Sequence, residues 1–233
     1  MVAMTPITLS DKSPIASGSI RDVYQHPSDP RLLIKVVRLS MIDEKYGSGR
    51  PWYKIGKRRY HHLISYLREI REHLAQHARG EGHPQILQNV VGVLQTDLGL
   101  GLVVEAAVDR DGRCAPTLTK VIETGRFDRN ACAHLDRFFD DLIKSTIIVA
   151  DAHPGNIVYA YTPERGDHFV LIDGIGFKTL IPLERFSKTI NRLSNRYKVR
   201  ALRAKVEKLV SARSPRAAKS VDGENPTCAS AAE

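Results

Sequence analysis

Asp151-Ala152-His153-Pro154-Gly155-Asn156, followed by Leu171-Ile172-Asp173-Gly174, decides how this chain reads. An Asp five residues before an Asn, then an apolar strand, then a second Asp, is the layout that phosphoryl transfer from ATP requires. One carboxylate orients or deprotonates the acceptor. The Asn and the other carboxylate hold magnesium against the phosphates, because the metal neutralises charge that builds on the transferring group. Magnesium takes hard oxygen ligands, usually only one or two from the protein. Asp and Asn are ordinary turn residues, so each half alone is a weak signal. In this order, across a strand–turn–strand, they form a strong one.

Working outward, the apolar runs 157–161 and 169–172 flank Pro163, Gly166 and Asp167, which predicts a hairpin. Upstream, residues 118–124 and 131–145 read as helices, the second with Leu135, Phe138, Phe139 and Leu142 on one side. Still earlier, residues 14–38 read as strand, turn, strand. Residues 90–94 and 101–108 are two further strands, joined by Thr96-Asp97-Leu98-Gly99. A helix is predicted over 57–78, with Tyr60, Leu63, Ile64, Leu67, Ile70, Leu74 and Ala78 as its apolar stripe and Gly80 and Gly82 as its stop. Strands first, then helices with a late hairpin, make an α+β fold.

The N-terminal half supplies partners for the acidic motif. Leu33-Ile34-Lys35-Val36 places a lysine inside an apolar strand. A buried ammonium is costly unless paired, so Lys35 requires a carboxylate and a phosphate. Arg68-Glu69-Ile70 on the following helix offers Glu69. On a helical wheel Glu69 lies nearly opposite the apolar stripe, which keeps Glu72 as the alternative partner. Ala16-Ser17-Gly18-Ser19-Ile20-Arg21-Asp22-Val23 stands where a phosphate-covering loop belongs. Its fit to G-x-G-x-x-G-x-V is partial: Ala16 and Arg21 occupy the first and third glycine positions, and Gly18 remains. Small side chains at 16–19 let backbone approach an anion, and Arg21 can meet phosphate or a neighbouring acid.

The chain resembles the protein-kinase-like superfamily over roughly residues 14–176 and, more narrowly, the bacterial PhoP-regulatory-network YrbL family. The segments that carry the resemblance are Arg21 to Pro30, Ile34-Lys35-Val36, Gly99 to Glu105, Asp151 to Asn156, and Leu171 to Gly176. It implies a two-lobed fold: an antiparallel sheet plus one helix over residues 1–108, and a short, mainly helical lobe over 109–210. It implies that Lys35 holds the α and β phosphates of ATP, that Glu69 braces Lys35, and that Asp151 is the catalytic base. It further implies that Asn156 and Asp173 bind Mg2+, and that Glu105 to Ala107 form the hinge beside the adenine. Departures from protein kinases are plain. Val149-Ala150 precedes Asp151, His153 stands two residues after it, and Gly174-Ile175-Gly176 follows Asp173. The 151–156 segment is closer to small-molecule kinases of the aminoglycoside and choline type. The phosphate acceptor is left open among a small molecule, an envelope component and a protein. A nucleotide-sensing pseudokinase is the alternative to a phosphotransferase.

Composition narrows the remaining classes. Of the net charge of +9, residues 1–184 contribute 23 Lys/Arg against 22 Asp/Glu, and residues 185–233 contribute 12 against 4. The positive field therefore belongs to the C-terminal end, where contact with an anionic surface through residues 185–213 is an open reading. Phe186, Ile190, Leu193 and Tyr197 share one helical face there, and Val199, Leu202, Val206 and Leu209 share another. The change of face near Lys198 predicts two helical pieces or a kink. Residues 211–233, poor in apolar bulk, predict a disordered tail. Cys114, Cys132 and Cys228 are scattered, with no CxxC pair, which argues against a zinc site and a disulfide framework. With no signal-peptide pattern and no apolar run of about 20 residues, a cytoplasmic location is expected. His73 and His77 share a helix face at i, i+4, but no HExxH pattern supports a metal there.

Overall fold

The run Leu32–Val37 is apolar at every position but one because both of its faces are covered. In the computed structural model, which describes residues 6–38, 40, 61–78, 85–176 and 187–217, this run is the third of five antiparallel strands. They are β1 (Ala16–Ser17), β2 (Arg21–Gln25), β3 (Leu32–Val37), β4 (Val90–Thr96) and β5 (Gly99–Glu105), in the order β1-β2-β3-β5-β4. Successive side chains alternate between the two faces. Leu33 and Val37 join Leu102 and Val104 beneath Tyr66 of helix α1 (Ile64–His77). Ile34 and Val36 join Tyr24 on the opposite face, under Leu9. Leu9 is held by the β4–β5 turn: the Leu9 and Ser10 amides donate to the Asp97 carboxylate at 2.8 and 3.1 Å.

Helix α1 docks through the face opposite to the one its apolar stripe predicts. Leu67 and Leu74 are 47% and 60% exposed, whereas Tyr66, Glu69, Glu72 and Gln76 are buried. Periodicity finds an apolar stripe but not what the neighbouring sheet requires of the helix. Here β2 and β3 present buried Arg21 and Lys35, and a buried cation draws in a carboxylate. The start predicted at 57 and the stop at Gly80 and Gly82 lie outside the described residues.

Two units divide the chain: Met1–Ala75 with Asn89–Ala106, and Gln76–Gln88 with Ala107–Glu233. Residues 76–88 belong to the second unit although they precede β4 in the chain. The reason is strand-like pairing: Leu171 donates to Ile86 O at 2.8 Å, and Gln88 donates to Leu171 O at 3.0 Å.

The second unit holds α2 (Leu118–Glu123), α3 (Arg129–Lys144), the hairpin β6 (Ile157–Thr162) and β7 (Gly166–Leu171), and α4 (Lys188–Ala217). The Thr117 hydroxyl accepts from Lys120 N to cap α2, and Asp128 accepts from Ala131 N to cap α3. Leu135, Phe138, Phe139 and Leu142 of α3 enter the core, as their spacing predicts. Helix α4 is continuous, without the break expected near Lys198. Its buried face runs Asn191, Asn195, Val199, Leu202, Val206. The apolar stripe changes face where the first half of the helix buries two asparagines. Asn195 Nδ2 donates to Leu142 O at 3.1 Å and Ile147 O at 3.0 Å, which satisfies carbonyls at the end of α3 and in the loop beyond it. The helix continues to Ala217, so residues 211–217 are helical where a tail was expected. Residues 218–233 lie outside the described residues. No described helix is long and apolar enough to cross a membrane.

Candidate active site

In the first unit, the site begins with the register of the sheet. Val23 pairs with Lys35 across β2 and β3, and Lys35 pairs with Leu102 of β5, so Lys35 emerges on the α1 face. Its Nζ lies 3.2 Å from Glu69 Oε2, and Arg21 Nη1 lies 2.5 Å from Glu69 Oε1. Lys35, Glu69 and Arg21 are 5%, 4% and 8% exposed, so the charges meet away from bulk water. Glu69 thus pairs with Lys35, and Glu72, the alternative partner, is buried as well. Arg21 has found the neighbouring acid.

Sequence reasoning missed two supports of this cluster. Tyr66 donates its hydroxyl to Lys35 O at 2.7 Å, and its ring lies 5.9 Å from the Arg21 guanidinium carbon. Burial pushes the Tyr66 hydroxyl pKa upward, which keeps it a neutral donor. Arg38 donates to Gly18 O at 2.5 Å and approaches Asp22 at 3.1 Å, tying the β1–β2 turn to the end of β3. The turn itself closes with Gly18 N donating to Arg21 O at 2.8 Å. Ala16, Ser17, Gly18 and Ser19 are exposed, whereas Val23 is half-buried on the sheet. At the other end of the sheet, Glu105 is exposed and its amide donates to Asn89 O. Ala106 N donates to Arg31 O, and Ala107 O accepts from Ala115 N.

In the second unit, Asp151, Asn156 and Asp173 are joined through backbone. Ala150 N and Asp151 N both donate to Gly174 O, at 2.7 and 3.0 Å. Ile172 N donates to Asn156 O at 2.8 Å, and Gly176 N donates to Ile148 O at 2.7 Å. His153 caps the short 3-10 turn Pro154–Asn156, its ring nitrogen accepting from Gly155 N. Asp151 is exposed, whereas Asn156 and Asp173 are half-buried.

Gly174 is the pivot of this knot. Its φ is +78°, and a Cβ there would fall 2.2 Å from Asp151 O and 2.9 Å from Asn156 Nδ2. Only glycine fits both the backbone and the space. Asn156 Nδ2 donates to Asp151 O at 3.2 Å, which directs its carbonyl oxygen away from that carbonyl. Gly174 N donates to Asp173 Oδ1 at 2.6 Å, fixing that carboxylate's orientation. An amide oxygen and a carboxylate oxygen are the hard donors magnesium takes, so this donor set fits the ion.

Residues 7–207 match the model of the family described as PhoP regulatory network protein YrbL. The chain belongs to this YrbL family. It is 29% identical over 195 residues to the YrbL protein of Escherichia coli (strain K12), covering 78% of this chain and 79% of that one. The YrbL protein of Shigella flexneri matches with the same identity and coverage. The family match spans the Lys35 strand, α1, the 151–156 loop, Asp173 and most of α4.

Proposed function

We propose that this YrbL-family protein is an ATP-dependent phosphotransferase with a protein-kinase-like fold, acting within a bacterial regulatory or envelope-stress pathway. The observation that supports it best is the knot in which Gly174 holds Asp151, Asn156 and Asp173 together. Magnesium, when bound, would neutralise charge on the phosphates of ATP. Asn156 and Asp173 would hold it. Lys35 would hold the α and β phosphates, kept extended toward them by Glu69. Glu105 and Ala107 would flank the adenine. Asp151 would accept the proton of the acceptor hydroxyl as that oxygen bonds to the γ-phosphorus and the bond to ADP breaks.

A nucleotide-binding regulator without turnover is the second reading. It is favoured by Arg21, a third-glycine position given over to an ion pair with Glu69.

Asp151→Asn separates the two readings. It keeps the side chain's size and removes its basicity, so it should spare Mg-ATP binding and abolish labelled phosphate transfer to an acceptor or to water. Wild-type protein that binds Mg-ATP and transfers nothing to a broad acceptor panel decides for the regulator. Wild-type protein that does not bind Mg-ATP overturns both.

A further inference from the structure

Because Asn191, Asn195, Val199, Leu202 and Val206 form the inward face of α4, its opposite crest is turned to solvent. That crest carries Ile190, Leu193 and Tyr197, which are 41%, 57% and 76% exposed. Spacings of three and four align them into one stripe. Arg192, Arg196 and Arg200, all exposed, run along its flank at intervals of four. Over residues 188–213 the chain has nine Lys/Arg and a single acid, Glu207. Some of these cations serve the fold: Arg203 pairs with Asp136 at 2.7 Å, and Lys205 donates to Ala152 O at 3.1 Å. The three arginines beside the crest are turned outward instead.

We propose that this crest docks on an anionic lipid surface, with Ile190, Leu193 and Tyr197 at the acyl boundary and the arginines among the headgroup phosphates. A basic surface lowers the free energy of approach to an anionic leaflet, and apolar side chains on the same face retain the protein there. The charge is concentrated in α4 while the body upstream is nearly neutral, so the attraction orients the molecule as well as concentrating it. Duplex nucleic acid would also attract the arginines, but it offers no apolar sink for Ile190 and Leu193, and only Tyr197 could stack. An acidic protein would need a groove shaped to a convex crest three side chains long, whereas lipid headgroups rearrange around it. None of the residues assigned to nucleotide takes part, so this surface stands independently of the phosphotransferase reading.

The test is flotation of the full chain with phosphatidylcholine vesicles, with and without about one-third phosphatidylglycerol, at about 0.1 M and about 0.5 M salt. The chain should float with the anionic vesicles only, and less at high salt. Leu193→Ser with Tyr197→Ser should weaken that binding roughly tenfold, and Arg192→Glu with Arg196→Glu and Arg200→Glu should abolish it. Both variants should keep the wild-type circular dichroism and melting temperature, because all five side chains are exposed. Equal flotation with neutral vesicles overturns the proposal, as does indifference to either variant. Binding to duplex DNA or to polyglutamate without binding to vesicles reassigns the crest to an acidic macromolecule and also overturns it.

Discussion

Glu69 accepts from two buried cations at once, Lys35 through Oε2 at 3.2 Å and Arg21 through Oε1 at 2.5 Å. One carboxylate thus joins strands β2 and β3 to helix α1. Burying three charges costs desolvation, and the cost is offset only while the geometry holds. Removing the shared acid is therefore worse than removing either cation. Glu69→Gln should lower stability by about 3 kcal/mol, the scale for breaking a buried pair. A double-mutant cycle of Glu69→Gln with Arg21→Met, read by urea unfolding, should show coupling above about 1 kcal/mol. Additive effects would mean that the short contact does not carry the fold.

Gly174 and Gly112 give a matched comparison. Both have positive φ, +78° and +73°, but a Cβ at 112 meets nothing within 4 Å, whereas one at 174 strikes Asp151 O at 2.2 Å. Gly112→Ala should cost only the backbone term, about 1 kcal/mol. Gly174→Ala adds displacement of the 151 loop, and should cost about 2 kcal/mol more. Thermal melts of the two variants measure the difference, and equal losses would show that the loop yields freely.

Asn195 is fully buried and serves two carbonyls. Asn195→Leu would add apolar surface at a core position, yet it should destabilise by about 2 kcal/mol, about 1 for each hydrogen bond removed, because Leu142 O and Ile147 O each lose one donor and keep Ser145 Oγ and Asn191 Nδ2 respectively. Val199→Ala, one turn on, should cost a similar amount for the opposite reason, lost packing, at about 2 kcal/mol. If Asn195→Leu melts higher than wild type, the polar half of the α4 face is not what seats the helix.

Acid should weaken the fold in two stages. Burial holds the His168 imidazole below its ordinary value, so the folded state prefers it neutral. That contribution is complete above the unfolded value of about 6.5 and is lost as pH falls through the lower folded value. Asp167, hydrogen-bonded to Arg110, and Asp97, bonded to Ser10 and Leu9, are held below the usual carboxylate range. Their contribution is present above about 3.9 and disappears as pH falls through their folded values. Urea midpoints measured across the acid range should show His168→Gln flattening the first decline and Asp97→Asn reducing the second. A wild-type midpoint unchanged down to pH of about 4 would contradict the His168 assignment.

The local chemistry of this protein is written in its residue order. Lys35 within an apolar strand, the hairpin around Gly166, the turn at Thr96 to Gly99, and the Asp151, Asn156, Asp173 spacing are all legible, because alternation, turn residues and short motifs act over a few positions. Which face a helix buries is not. Helix α1 turns Leu67 and Leu74 to solvent and Glu69 inward, and the first half of α4 does the same with Leu193 and Asn195. In each case apolar periodicity names the wrong face, because the burial of a polar side chain depends on a partner distant in the chain. Glu69 is worth burying only once the sheet has brought Arg21 and Lys35 side by side, 48 and 34 residues away. Asn195 is worth burying only once Leu142 O and Ile147 O, 53 and 48 residues away, stand where they can accept from it. Hydrophobic burial is nearly additive over residues and can be summed from sequence. The satisfaction of a buried polar group is pairwise, and only the tertiary structure supplies the pair.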